Sequence, residues 1–219
     1  MSCVNLNNLD LSQLKIAKAG KLVKLIYNKE PLQLVTGKMY TPFGVKVNPN
    51  NYSSFNTCHL DCSLNQSSSD VSVAHRNSLE ELDKRILELI SENVNMFNTN
   101  NTEIDFDSNI YSPILRENKT YPKLMKISLP RDNKGNFDFV IFKSDTEKVP
   151  LNDSNINDVL CKGKIFKSIV ECGKVWYYNG RFGTTWNLKQ MKFVENDVQQ
   201  EQTPKVDNTI YQSNMLLDD

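Results

Sequence analysis

Histidine is almost missing from this 219-residue chain: His59 and His75 are the only two, and neither lies near a serine or cysteine motif for nucleophilic catalysis. No glycine-rich phosphate loop occurs. No apolar run approaches the roughly 18–20 residues that span a bilayer, and the N-terminus "MSCVNLNNLDLSQ" lacks the charged and apolar regions of a signal peptide. An intracellular protein is therefore expected. Five cysteines, Cys3, Cys58, Cys62, Cys161 and Cys172, form an odd and unpatterned set, which reads as free thiols in a reducing compartment. Net charge is absent as well. These absences argue against an enzyme, and no cofactor or metal is expected.

The neutral total hides segregation along the chain. Residues 1–57 carry seven lysines against Asp10 and Glu30, a net +5, and residues 161–194 carry six lysines and Arg181 against Glu171 alone, a net +6. Residues 195–219 hold six carboxylates against Lys205, a net −5. Basic segments with a separate acidic tail suit a binder of polyanions.

Hydrophobic residues make up 39% of the chain, enough for one core with appendages. Short strands are expected at 22–27, 32–35, 39–47, 59–64, 124–129, 137–142 and 165–172, with a helical turn near 156–160. The Ser-rich stretch "NQSSSDVSVAHRN" reads as a mobile loop. Ser78-Leu79-Glu80-Glu81 then has the form of a capping box. Leu79, Leu82, Ile86, Leu89 and Ile90 follow at helical spacing, which predicts an amphipathic helix over 79–97. The pattern is a mainly β chain of the α+β type, a small barrel or curved sheet covered by one helix, because closure removes the sticky edges of an antiparallel sheet. Residues 1–20 read as an extension and 195–219 as a disordered tail whose apolar end, "MLLDD", could dock on a replication partner.

Cys58-His59-Leu60-Asp61-Cys62 is the one cluster with the composition of a metal site. On a strand, however, the cysteines face one way and His59 and Asp61 the other, so they cannot converge on one ion. The richer stretch is "VWYYNGRFGTTWNLKQMKF", residues 175–193, with six aromatic rings, an arginine and two lysines. Asn179-Gly180 between two alternating runs is a strong hairpin signal. Trp176 and Tyr178 then share one face, opposite Val175 and Tyr177. Rings beside Arg181 and Lys189, with Lys164 and Lys167 on the preceding strand, offer the two halves of a grip on single-stranded nucleic acid: stacking platforms and phosphate-neutralising cations.

The run "GKIFKSIVECGKVWYYNGRFGTTWNLKQMKF" resembles the C-terminal signature of the single-stranded DNA-binding proteins of nucleocytoplasmic large DNA viruses. "MYTPFGV", "YSPILRENKTYPKLMKISLP" and "FDFVIF" resemble the same family in the same order upstream. The resemblance covers roughly residues 22–193. It implies an OB-type barrel over 21–194 with an inserted helix, acting on single strands exposed in viral DNA replication, recombination or repair, in the cytoplasm or nucleus of an infected cell. The stacking rings expected on this view are Trp176, Tyr178, Phe182 and Trp186, joined by Tyr111 and Tyr121. Arg116, Lys119, Lys126, Lys164, Lys167, Arg181 and Lys189 are the expected phosphate contacts. An RNA-binding barrel and a protein-interaction or virion structural module remain as alternatives.

Overall fold

The computed structural model describes residues 3–49, 54–64, 70–97, 110–117 and 122–194. Fifteen strands and two α-helices run through them. The first strands are β1 (Val4–Asn5), β2 (Lys15–Ala19), β3 (Leu22–Tyr27), β4 (Glu30–Pro31), β5 (Gln33–Val35), β6 (Met39–Tyr40), β7 (Val45–Asn48) and β8 (Thr57–Leu64). Helix α1 (Asp70–Glu92) follows, then β9 (Tyr111–Ser112), β10 (Leu115–Arg116), β11 (Leu124–Leu129), β12 (Val140–Phe142) and β13 (Lys148–Val149). A single turn, α2 (Ile156–Val159), precedes the two longest strands, β14 (Ile165–Tyr178) and β15 (Arg181–Phe193).

Those two strands organise the rest. They pair antiparallel through a turn in which Asn179 and Gly180 both take positive φ, as the Asn-Gly signal requires. Register shifts at Ile169/Val170 and Cys172/Lys174 bend the ribbon. The bend lets the far side of β14 pair with β6, β5 and β3 in turn. From β6 the pairing passes to β8, β11 and β15, and so returns to β14. The circuit is closed at β6 by two residues only; β7, β9, β10 and β12 pair on its strands, β13 pairs β12, and β1, β2 and β4 are attached through β5 and β3. The clean small barrel expected from the strand count is therefore not what forms. A mainly β structure with one long helix is.

The core lies inside this circuit and beneath α1. Leu60, Cys62, Met125, Ile127, Phe166, Val170, Cys172, Trp186 and Leu188 fill it from the strands; Leu79, Leu82, Ile86 and Ile90 close it from the helix. Each such Val, Leu, Ile, Phe or Met side chain stabilises the fold by about 1.5–3 kcal/mol on burial. Residues 1–20 do not stand apart, because Leu6, Leu14 and Ile16 are buried in the same cluster and β2 pairs along β3.

The helix departs from expectation at both ends. It begins at Asp70, so part of the Ser-rich stretch expected as a loop is helical, and Ser78 is an interior residue whose hydroxyl donates back to the Ala74 carbonyl at 3.0 Å. Tertiary burial overrides the capping box: His75, one turn before Leu79, is buried with its ring against Gly37. The helix ends at Glu92, and a 3-10 segment, Val94–Phe97, carries Phe97 edge-on to the ring of Phe182 at 5.1 Å. Asp83 ties the helix to the sheet. Its carboxylate accepts from the Tyr111 hydroxyl at 2.6 Å and from the Ile114 backbone N–H at 2.9 and 3.0 Å. Burial pushes its pKa up to about 6 in spite of those bonds.

Candidate nucleic-acid interface

Residues paired across neighbouring strands carry their side chains on the same face of a sheet. Opposite the core, the register therefore sets out one continuous outer face. Lys46 of β7 pairs with His59 of β8; Asp61 pairs with Lys126 of β11; His59 pairs with Ser128, Ser128 with Asn187 of β15, and Asn187 with Glu171 of β14. Further along the ribbon the same face carries Lys174 with Thr185, Trp176 with Gly183, and Tyr178 with Arg181. Lys167 and Lys192 pair at the other end. The alternation follows from the strands themselves, which send Leu60, Ile127, Trp186 and Cys172 inward from adjacent positions.

The centre of β8 and β11 concentrates charge. Asp61 is buried and accepts from Lys46 Nζ at 2.7 Å and from Arg116 Nη2 at 2.5 Å. Burial works to raise its carboxyl, but the Lys46 hydrogen bond and the Arg116 charge outweigh it and hold the group below the usual carboxylate range. One carboxylate thus faces three cations, because Lys126 stands directly across from it. Burial of its stem and the nearby Arg116 charge press the Lys126 ammonium below its ordinary pKa, although Lys126 reaches solvent. His59 is held below its own by burial and by Lys126, which leaves the imidazole neutral near pH 7. Among the described residues the patch thus sets three cations, Lys46, Arg116 and Lys126, against the single carboxylate of Asp61.

The hairpin supplies the rings. Trp176 is half-buried, with its indole lying on the backbone of Gly183; a Cβ there would come within 2.4 Å of the ring, so only glycine permits the contact. Tyr178 is 70% exposed at the tip, and Arg181 opposite it is exposed too. Three rings expected to stack are instead structural. Phe182 is fully buried (0% exposed), between Phe97 and Tyr177, whose centroid lies 4.6 Å away. Trp186 is 2% exposed and donates its indole N–H to Thr184 Oγ1 at 3.0 Å. Tyr111, 9% exposed, spends its hydroxyl on Asp83. A ring closed on both sides offers no surface to a base, which corrects the expectation for these three.

No protein-family model and no curated protein matches the chain. Among solved structures it is similar to the single-stranded DNA-binding protein from bacteriophage Enc34 in complex with ssDNA. That likeness has a TM-score of 0.47 and 10% identity over 84% of this chain and 97% of that one. It is also similar to gp2.5, a single-stranded DNA-binding protein encoded by bacteriophage T7, at a TM-score of 0.42 and 12% identity over 84% of this chain and 100% of that one. Both likenesses are distant. The functional reading below rests on the side chains of the outer face.

Of the cations expected to meet phosphate, Arg116, Lys126, Lys167 and Arg181 lie on or beside that face. Lys189 sits where the β15 register shifts, 3.9 Å from an Asp138 oxygen. Lys164 precedes β14, with its ammonium 5.5 Å from the centroid of the Phe193 ring. Lys119, Tyr121 and the tail 195–219 lie outside the described residues. The structure adds Lys46 and Lys174, which the sequence reading left out. Lys46 alternates with Val45 and Val47, a legible signal for the polar side of a strand, but its approach to Asp61 depends on a pairing fifteen residues along the chain. The Cys-His cluster divides as strand geometry requires. Cys58 and Cys62 go inward, the Cys62 thiol raised far above its ordinary pKa by burial, while His59 and Asp61 go outward. Among the described residues no three His, Cys, Asp or Glu side chains are grouped to hold a metal ion.

Proposed function

We propose that the outer face binds single-stranded DNA with little regard to sequence. The observation that supports this most is the excess of cations over carboxylates around Asp61 among the described residues, on the same face as the rings of the hairpin. Phosphates would meet Lys46, Arg116 and Lys126 and displace condensed counterions, while bases stack on Trp176 and Tyr178. A duplex, with its bases already stacked and paired, can use the cations but not the rings. On this reading the β14–β6–β8–β11–β15 circuit is an irregular, OB-like variant of the expected barrel with α1 inserted. The motif resemblance to the viral family supports a role in replication, recombination or repair of viral or virus-like DNA in an infected cell. No catalytic step is assigned to the chain.

Competition among single-stranded DNA, single-stranded RNA and duplex DNA at two salt concentrations tests the reading. The single strand should win over duplex, and its affinity should fall steeply with salt, each neutralised phosphate adding about 0.7 to the slope of log affinity against log salt. RNA winning over DNA would replace the polymer and keep the face. Salt-independent binding, or equal binding of duplex, would overturn the assignment.

A further inference from the structure

The outer face does not end at the hairpin. Val175 of β14 pairs antiparallel with Val23 of β3, and both are buried, so the residues beside them face outward: Trp176 next to Leu22, and Lys174 next to Lys24. The pairing of β3 with β2 carries the face one strand further, setting Leu22 across from Ala19, Lys24 from Ala17 and Ile26 from Lys15. The Trp176 indole leans over Gly183, away from β3, and Leu22 is 45% exposed. Two small residues, Ala17 and Ala19, make β2 a low floor beside Leu22 and Lys24. Four residues along β3 from Leu22, a distance of about 14 Å, lies Ile26. There Ile26 and Lys15 open into a hollow of about 400 Å³ that Ser12, Gln13, Asn28 and Lys29 complete. Asn28 and Lys29 form the turn into β4 at φ of 50° and 69°, a conformation that suits glycine better than lysine.

Lys15, Lys24, Lys29 and Lys174 stand along this arm, and none forms an ion pair with a described carboxylate. Two carboxylates lie near them, both already accepting side-chain hydrogen bonds. Glu171 accepts from the Gln33 amide at 2.8 Å, and Asp10 from the Ser12 hydroxyl at 2.6 Å and the Gln13 amide at 2.8 Å. Glu30 pairs with Tyr27 and so belongs to the opposite face. We infer that a bound single strand continues from Trp176 across β3 and β2, with Leu22 against a sugar or base and phosphates at Lys174, at Lys24 and in the hollow between Lys15 and Lys29. The inference rests on the single-strand reading and lengthens its path beyond the patch and the hairpin. An anionic strand is the occupant that fits: four cations against two carboxylates repel the same arm of a second copy, and the arm is continuous with the face that carries Trp176.

Anisotropy titrations at several salt concentrations, with oligo-dT of about 4 to 16 nucleotides, test this on the full chain. The variants are Lys15→Gln, Lys18→Gln, and the triple change Lys15→Gln, Lys24→Gln and Lys29→Gly, in which glycine keeps the turn. Lys18 is the control, because it lies on the same strand as Lys15 but pairs with the buried Val23 and so belongs to the other face. On the longest oligomer Lys15→Gln should lower the slope of log affinity against log salt by about 0.7, and the triple variant by about 2, with circular dichroism unchanged. Lys18→Gln should keep the wild-type slope. The triple variant should match the wild type on the shortest oligomers and fall behind as they lengthen. If Lys15→Gln lowers the slope no more than Lys18→Gln, or if the triple variant keeps the wild-type slope and length dependence, the strand does not cross β3 and β2, while the patch and the hairpin keep their reading. If the wild type binds no single strand, the functional reading fails and this arm with it.

Discussion

The charged patch on β8 and β11 and the aromatic hairpin of β14 and β15 share one face but are built in opposite ways. The patch is assembled from four strands, with Lys46, Asp61, Arg116 and Lys126 brought together only by the fold. Its carboxylate is buried and its cations crowd one another. The hairpin is local. Its turn, its ring alternation and the glycine beneath Trp176 all lie within 19 residues of chain. One region provides charge that needs an anion, the other provides surface that needs a flat partner, and neither alone separates a single strand from other polyanions or other apolar ligands. The two should therefore fail differently when mutated.

The sharpest contrast is between the two tryptophans. Trp186 is core and Trp176 is surface, although both belong to the same hairpin. Trp186→Ala should cost about 3–5 kcal/mol of stability, read as a drop in the denaturation midpoint. Trp176→Ala together with Tyr178→Ala should leave the midpoint nearly unchanged and weaken single-strand binding by about 1–3 kcal/mol per ring, with the salt slope preserved. Equal loss of stability in both variants would move Trp176 into the core and remove the hairpin from the interface.

On the patch the effects should be smaller and electrostatic. Lys126→Ala should flatten the slope of log affinity against log salt by about 0.7. Asp61→Asn releases Lys46 and Arg116 from their shared carboxylate, so it should strengthen binding at low salt and steepen the slope, while the repulsion it uncovers lowers stability. If Asp61→Asn weakens binding, the carboxylate is orienting the cations rather than competing with the strand.

The smallest effect is a pH dependence away from both regions. His75 is buried, neither ring nitrogen has a hydrogen-bond partner among the described residues, and burial holds its pKa below the ordinary value. Its unfolded form binds a proton more readily, so the stability it contributes is fully present above about pH 6.5 and is lost as pH falls below that value. Asp83, raised to about 6, works the other way and favours the folded state as pH falls through 6. Replacing His75 with Phe should therefore flatten the loss of stability between pH 7 and pH 5.5, measured by urea denaturation. An unchanged pH profile would show that His75 is not the group responsible.

Legibility follows the same division. Strand 124–129, the hairpin turn and the opposition of Trp176 to Val175 could be read because each depends on neighbours along the chain. The fates of Phe182 and Trp186 could not be read. Phe182 lies across from Tyr177 and Trp186 across from Cys172, and the register shift that sets the second pairing runs through Gly173, which looks in sequence like a strand break. Ser78-Leu79-Glu80-Glu81 was a sound local signal overruled by the burial of His75 one turn earlier. The excess charge around Asp61 was hidden for a related reason: its members are scattered from residue 46 to residue 126.

The chain has only two tryptophans, and just one of them lies on the outer face, so intrinsic fluorescence tests the central claim directly. Titration with oligo-dT should quench the emission of the wild type, because a base stacks on the Trp176 indole. In Trp176→Phe the Trp186 signal should stay flat throughout a titration in which anisotropy still reports binding. Undiminished quenching in Trp176→Phe, or binding to the wild type without quenching, would contradict the assignment of this face as the single-strand interface.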